Sequence, residues 1–173
     1  MRAVMVVGTK RAGKTTTTEN LIRELTKKGY RVAAIKHISE PEFTIDMPGK
    51  DTWRFAQSGA RTIICVAAEE IATIEKVQID TVKTEQLLRK CKGNDIVLIE
   101  GLKRRLSNVK SIWKIVVVKS SEEAASAHKT YKPILAFSGP YNTIEVDPGV
   151  PYVDALKSPE KLADIVEEKL LKK

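Results

Sequence analysis

The sequence predicts a three-layer α/β fold: a mostly parallel sheet with helices on both faces and one antiparallel hairpin. Three observations predict it. Short apolar runs alternate with longer stretches whose apolar residues fall on one helical face. The first such run, residues 3–7, passes through Gly8 straight into a helical segment. Two β-branched runs, residues 62–67 and 71–74, are separated only by Ala68, Glu69 and Glu70, a link that suits a hairpin and is too short for a parallel crossover.

Each element follows from local pattern. The continuous apolar run 3–7 reads as a buried strand. The next segment, about 14–28, is a helix with Leu21, Ile22 and Leu25 on one face and Gly29 as its stop. Residues 31–35 form a strand, and the Pro-, Glu- and Asp-bearing stretch 36–50 forms a loop. A short helix over 51–57 ends at Ser58-Gly59. Beyond the hairpin, a helix near 81–91 precedes the buried strand 96–99. Residues 112–118 are another strand, and Ser120 with Glu123 has the spacing of a capping box opening a short helix. Minor strands are expected at 133–137 and 143–146. Ser158 is positioned to cap the last helix, with Pro159 in its first turn and Leu162, Ile165, Val166 and Leu170 as its stripe. With no repeat, low-complexity segment or linker in view, residues 1–173 read as a single domain.

Composition narrows the function classes. At 42% hydrophobic and 30% charged, the chain has the balance of a globular protein rather than a disordered one. No apolar run approaches the roughly 20 residues that span a bilayer, so no membrane partner is expected. The N-terminal apolar run is too short for a signal peptide. Cys65 and Cys91 have neither zinc nor disulfide-framework spacing, and a cytoplasmic location is expected. The net charge of +8 fits either an anionic partner or a Lys-rich solvated surface. Aromatics make up 5% and no stacking or recognition-helix motif accompanies the basic residues, so nucleic acid is not expected.

The chemistry begins at Gly8, Thr9, Lys10, Arg11, Ala12, Gly13, Lys14 and Thr15, which match the phosphate-loop pattern G-x-x-x-x-G-K-S/T. Gly8 and Gly13 allow backbone conformations closed to other residues. Successive N–H groups then turn inward as an anion nest, and the helix that follows adds its positive dipole end. Lys14 is expected to neutralise the β and γ phosphates of a nucleoside triphosphate, and the Thr15 hydroxyl to ligate Mg²⁺. The loop follows an expected strand and opens an expected helix, the context of a P-loop NTPase-like fold. Lys10 and Arg11 stand beside it, either at the phosphates or facing solvent.

Further candidates stand at the ends of later strands. The run Ile96-Val97-Leu98-Ile99 ends in Glu100-Gly101. Ligands of parallel sheets gather at C-terminal strand ends, so Glu100 is expected near the phosphate loop as a Mg²⁺ ligand, directly or through water, and Gly101 is expected to let backbone approach the phosphates. Lys36 and His37 end the second strand on the same rim. Lys36 is a candidate for the γ-phosphate, while His37 can bind substrate, move a proton or serve structure alone. Asp51 is placed either as a helix N-cap or as a metal ligand, and Asp46 has the same two readings. Lys103-Arg104-Arg105 reads as a second anion site or a solvated loop. No residue is assigned a catalytic role from the residues alone.

Taken in order, Gly8 to Thr15, Lys36-His37, Asp46-Met47-Pro48-Gly49-Lys50-Asp51, Ser58-Gly59-Ala60 and Glu100-Gly101-Leu102-Lys103 resemble the MobB family, adaptors of molybdopterin-guanine dinucleotide biosynthesis. The likeness spans about residues 1–105. It implies a GTP-binding protein, usually homodimeric, with weak GTPase activity, which assists the guanylyltransferase that joins GMP to molybdopterin; molybdopterin itself is then a further candidate ligand. By position, Gly8 to Thr16 would bind the triphosphate, with Thr15 and Glu100 at Mg²⁺. Asp51 and Lys36 are similar to a metal-shell aspartate and a strand-end lysine of dethiobiotin synthetase, a more distant relative by fold. The chain departs from the family at Ile38 to Pro41, where another His is usual, and at 108–113. It carries no Asn-Lys-x-Asp guanine signature, which leaves Lys119-Ser120 and Phe137-Ser138-Gly139 as candidate base contacts. Two rival readings are a small-molecule kinase using Lys103 to Arg105, and a nucleotide-gated binding module without turnover.

Overall fold

Seven strands and six helices alternate along the chain in the computed structural model, which describes residues 2–172. They run β1 (Arg2–Gly8), α1 (Lys14–Lys27), β2 (Val32–Lys36), α2 (Asp51–Gln57), β3 (Thr62–Val66), β4 (Ile71–Glu75), α3 (Thr84–Lys90), β5 (Ile96–Glu100), α4 (Lys103–Leu106), β6 (Trp113–Val117), α5 (Ser121–Thr130), β7 (Ile134–Ser138) and α6 (Pro159–Val166). A π-helical turn, Glu167–Leu171, continues α6. The described residues divide into two units, one reaching His37 and resuming at Cys91, the other Ile38–Lys90.

In the first unit, five strands form one sheet in the order β2-β5-β1-β6-β7. Every pairing is parallel. All five C-terminal ends therefore lie on one rim, and the register sets Lys36 beside Glu100 and Gly8 beside Val117. Burial explains the arrangement. The central strands β1 and β5 are apolar on both faces, as expected of a sheet covered by helices on each side. Val4, Val6, Ile96, Leu98, Ile115 and Val117 share one cluster with Leu21 and Leu25 of α1 and Leu162, Ala163 and Val166 of α6. Their neighbours Met5, Ile99 and Val116, on the opposite face, are equally buried. Truncating Leu21 or Leu162 to Ala would cost about 2–5 kcal/mol.

Polar contacts fix the helices on this core. Asn20 of α1 donates from Nδ2 to the Ala155 carbonyl at 2.7 Å. At the other end of α1, Gly29 takes a left-handed conformation (φ 87°), and Lys28 and Tyr30 both reach Glu167. Lys114 is 0% exposed, and its ammonium donates to the carbonyls of Val109, Ile112 and Lys132 at 2.8, 2.7 and 2.6 Å. Burial pushes this lysine down to about 8.

The second unit contains the hairpin. β3 and β4 pair antiparallel, with Ile63 opposite Ile74 and Val66 opposite Ile71. Ile63 is turned inward, whereas Ile64, Val66 and Ile71 on the other face are 61%, 75% and 71% exposed.

Four expectations need correction. The main sheet is purely rather than mostly parallel, because the hairpin forms a two-stranded sheet of its own. Residues 143–146 alternate like a strand but turn instead, because Val146 and Asp147 both donate to the Thr143 carbonyl and Asn142 Oδ1 accepts from the Ile144 N–H. Lys103 to Leu106 form the single-turn helix α4 rather than a loop. Ser158 occupies the N-cap position of α6 with no side-chain capping bond, and its carbonyl accepts from Lys161 instead.

Candidate functional site

The phosphate loop leaves β1 where Gly8 lies against β6. A Cβ at Gly8 would sit 2.3 Å from the Val117 carbonyl oxygen, and its φ of 150° suits glycine alone. Arg11 and Gly13 then take left-handed conformations (φ 60° and 96°). For Arg11 this costs about 1–2 kcal/mol, strain of the kind kept where a loop must turn its N–H groups on a ligand. Ala12 packs into the core, and Gly13 opens α1.

Lys14 donates to the Thr9 carbonyl, so its ammonium folds back over the loop. Its pKa is lowered, first by burial; Glu100 opposes the shift, and Lys36, Lys103 and Lys119 reinforce it. Lys36, Lys103 and Lys119 thus add positive charge around Lys14, which favours an anion there.

Glu100 ends β5 with only 6% of its surface exposed. Thr15 donates to Glu100 Oε1 at 3.1 Å, and Lys36 donates to the same oxygen. The Lys36 ammonium is also 3.5 Å from Thr15 Oγ1. The structure therefore brings Thr15, Lys36 and Glu100 together as the strand-end argument expects. Among the described residues, no three His, Cys, Asp or Glu side chains gather as a metal cluster. One hydroxyl and one carboxylate, both hard oxygens, fit Mg²⁺, which takes few protein ligands and completes its shell with phosphates and water.

Other candidates fall differently. His37 is exposed, and its N–H donates to the Glu100 carbonyl at 2.9 Å. The close approach at Gly101 (φ 95°) is to His37, whose Cβ would lie 2.8 Å from an added Cβ. Asp51 belongs to the second unit. Lys50 holds the N-cap position of α2, so Asp51 is not the cap; it sits in the first turn, paired with Arg54 at 3.7 Å. Asp46, in the same unit, accepts from the Met47 N–H at 2.9 Å and the Thr52 hydroxyl at 2.8 Å, which commits one of its oxygens to the turn before α2. Ser138 is fully buried and accepts from the Ala155 N–H at 3.4 Å, so it serves the packing of β7.

One role escaped the functional reading of the sequence, that of Glu123. Ser120 does cap α5, accepting from the Glu123 N–H at 3.3 Å. The Glu123 carboxylate, however, accepts from the Lys119 N–H and from the Thr9 hydroxyl, both at 2.9 Å. Lys119 in turn donates from Nζ to the Lys10 carbonyl at 3.4 Å. The turn from β6 into α5 thus braces the first half of the phosphate loop. The capping-box spacing was the only local signal.

Comparisons with known proteins agree with this architecture. The sequence profile of MobB, molybdopterin guanine dinucleotide synthesis protein B, matches residues 3–138. A *Methanocaldococcus jannaschii* protein provisionally named a molybdopterin-guanine dinucleotide biosynthesis adapter is 30% identical over 123 residues, 70% of this chain and 49% of that protein. The *Haemophilus influenzae* molybdopterin-guanine dinucleotide biosynthesis adapter protein is 36% identical over 103 residues, 57% of this chain and 56% of its own. The chain spans about half the length of these curated relatives. In fold it is similar to the crystal structure of *Bacillus subtilis* MobB, with a TM-score of 0.77, 21% identity and 100% of both chains covered. It is likewise similar to a crystal structure of molybdopterin-guanine biosynthesis protein B, with a TM-score of 0.73, 22% identity, and 98% and 99% of the two chains covered. On the extent of the profile match, the chain belongs to the MobB family.

Proposed function

We propose that this chain binds GTP with Mg²⁺ at the phosphate loop and assists, as a cytoplasmic adaptor, the enzyme that attaches GMP to molybdopterin. One observation carries the nucleotide part: Lys14, Thr15, Lys36 and Glu100 converge on the rim at the mouth of the loop. The loop N–H groups and the α1 N-terminus would hold the phosphates of the bound nucleotide. Thr15 and Glu100 would hold Mg²⁺, whose chemistry there is to neutralise the β and γ oxygens. The choice of guanine, the guanylyltransferase and molybdopterin as partners all rest on family membership.

Turnover is slow in this reading. Phosphoryl transfer needs charge neutralisation and a positioned water. Lys14 and Lys36 serve the first need, and no side chain described above is committed to the second. Hydrolysis faster than about 1 s⁻¹ without a partner would contradict this. A homodimer is also proposed, supported by the exposed apolar face of Ile64, Val66 and Ile71. Sedimentation that finds only monomer at high micromolar concentration would overturn it.

Competition binding of GTP against ATP, with and without Mg²⁺, tests the proposal as a whole. GTP preference that strengthens with Mg²⁺ is expected. Equal affinities, or a preference for ATP, would favour a small-molecule kinase.

A further inference from the structure

We propose that Lys36 is a tethered cation that occupies the metal position until Mg²⁺ arrives with the triphosphate, and that the two cations exchange on Thr15 and Glu100. The inference rests on the reading of those two residues as the Mg²⁺ ligands.

The geometry is specific. The Lys36 ammonium donates to Glu100 Oε1 and lies 3.5 Å from Thr15 Oγ1, and these two oxygens are themselves 3.1 Å apart. The Thr15 hydroxyl donates to the carboxylate and accepts from the ammonium. Lys36 therefore engages the Thr15 hydroxyl and one of the two carboxylate oxygens of Glu100. The fold places it there by register, since Lys36 pairs with Glu100 across β2 and β5.

The two partners differ in freedom. The Glu100 side chain is 8% exposed and that of Lys36 is 51% exposed. Leaving a largely buried carboxylate without a cation is costly, so the loss of Lys36 favours another cation beside Glu100. Lys36 leaves an edge strand that is half exposed, so its ammonium can swing to the rim without disturbing the core. Lys14 is a poor substitute because its ammonium is turned to the Thr9 carbonyl.

An exchange follows. With Mg²⁺ bound beside a nucleotide, Lys36 would give up its place on the Glu100 carboxylate, the doubly charged ion being the stronger partner. The freed ammonium stays on the rim beside the phosphates, where it gains an anionic partner only if a γ-phosphate is present. The nucleotide-free protein should accordingly bind divalent metal weakly, and Lys36 should distinguish triphosphate from diphosphate.

Mn²⁺, followed by electron paramagnetic resonance on the full chain, tests the exchange without reference to activity. The expected result is that Lys36→Met binds Mn²⁺ at least tenfold more tightly than wild type in the absence of nucleotide. The thermal midpoint of this variant should be below that of wild type in EDTA and recover when Mn²⁺ is added. Lys36→Arg, which keeps a cation, should bind Mn²⁺ as weakly as wild type. Lys36→Gln replaces Lys36→Met if the latter does not fold. Equal Mn²⁺ affinity of wild type and Lys36→Met, with both still binding Mn²⁺ alongside a non-hydrolysable GTP analogue, would overturn the exchange and leave the metal ligands standing. Absence of protein-bound Mn²⁺ in every variant, with and without the analogue, would overturn the metal reading itself.

Discussion

Thr9 and Glu123 are 114 residues apart in sequence, and their side chains meet at 2.9 Å. The contact joins the phosphate loop to the first turn of α5, and the Lys119 ammonium on the Lys10 carbonyl runs parallel to it. A carboxylate beside an anion site repels the ligand, so Glu123 is best understood as a positioning residue. Thr9→Val and Glu123→Ala are each expected to weaken triphosphate binding by about 0.5–1.5 kcal/mol. Because both remove one contact, the double variant should lose no more than the worse single variant. Titration calorimetry on the four proteins checks this; full additivity would mean that the two side chains act independently.

Lys14→Ala removes the ammonium at the centre of the loop while leaving the apolar core untouched. The loss of a charge-assisted contact to phosphate is expected to cost about 1.5–3 kcal/mol of GTP affinity. The thermal midpoint should change little, since Lys14 lies at the loop rather than in the core cluster. Unchanged affinity in a folded variant would place the nucleotide elsewhere.

Lys114 is a structural counterpart. Its buried ammonium is the donor shared by three carbonyls, those of Val109, Ile112 and Lys132. Lys114→Met, similar in volume, is expected to destabilise the protein by roughly 2–4 kcal/mol without a direct effect on nucleotide affinity. Urea denaturation measures the first and calorimetry the second. A loss below about 0.5 kcal/mol would show that the segments around Val109 and Lys132 find other donors.

Acid should unfasten α1 from the chain's last helical turn. Hydrogen bonds from Lys28 and then Tyr30 hold the Glu167 carboxyl down at about 2, against an ordinary value of 4.5. The unfolded chain therefore takes up this proton more readily than the folded one. The stability contributed by Glu167 is complete above about pH 4.5 and is lost as pH falls toward 2. Thermal melts of wild type and Glu167→Gln should differ by a constant amount near neutral pH, and the gap should close across that acid window. A gap unchanged down to pH 2 would contradict the assignment.

The elements that proved most legible were those whose sequence carries its own reason. Residues 3–7 and 96–99 are apolar at every position, which only a strand buried on both faces requires, and Gly8 to Thr15 encode their turn in glycine spacing. Lys36 and Glu100 could be placed on one rim because parallel strands share their C-terminal side. Residues 143–146 misled because their alternation fits a strand, while an Asx turn at Asn142 and the Thr143 carbonyl decided the backbone. Asp51 looked like a cap from its place after the loop, but the helix begins one residue earlier than that reading requires, with Lys50 at the N-cap position. The Glu123 contact to Thr9 was invisible because nothing local distinguishes a capping carboxylate that also reaches a distant loop.

The central claim is that Thr15 and Glu100 form the metal side of a triphosphate site. Its most direct test is calorimetric titration of GTP into wild type and Glu100→Gln over a series of Mg²⁺ concentrations. Wild-type affinity should rise with Mg²⁺, whereas that of Glu100→Gln should be nearly flat and should match wild type only when metal is removed. If Glu100→Gln gains affinity with Mg²⁺ as wild type does, Glu100 is not a metal ligand and the account of this rim is wrong.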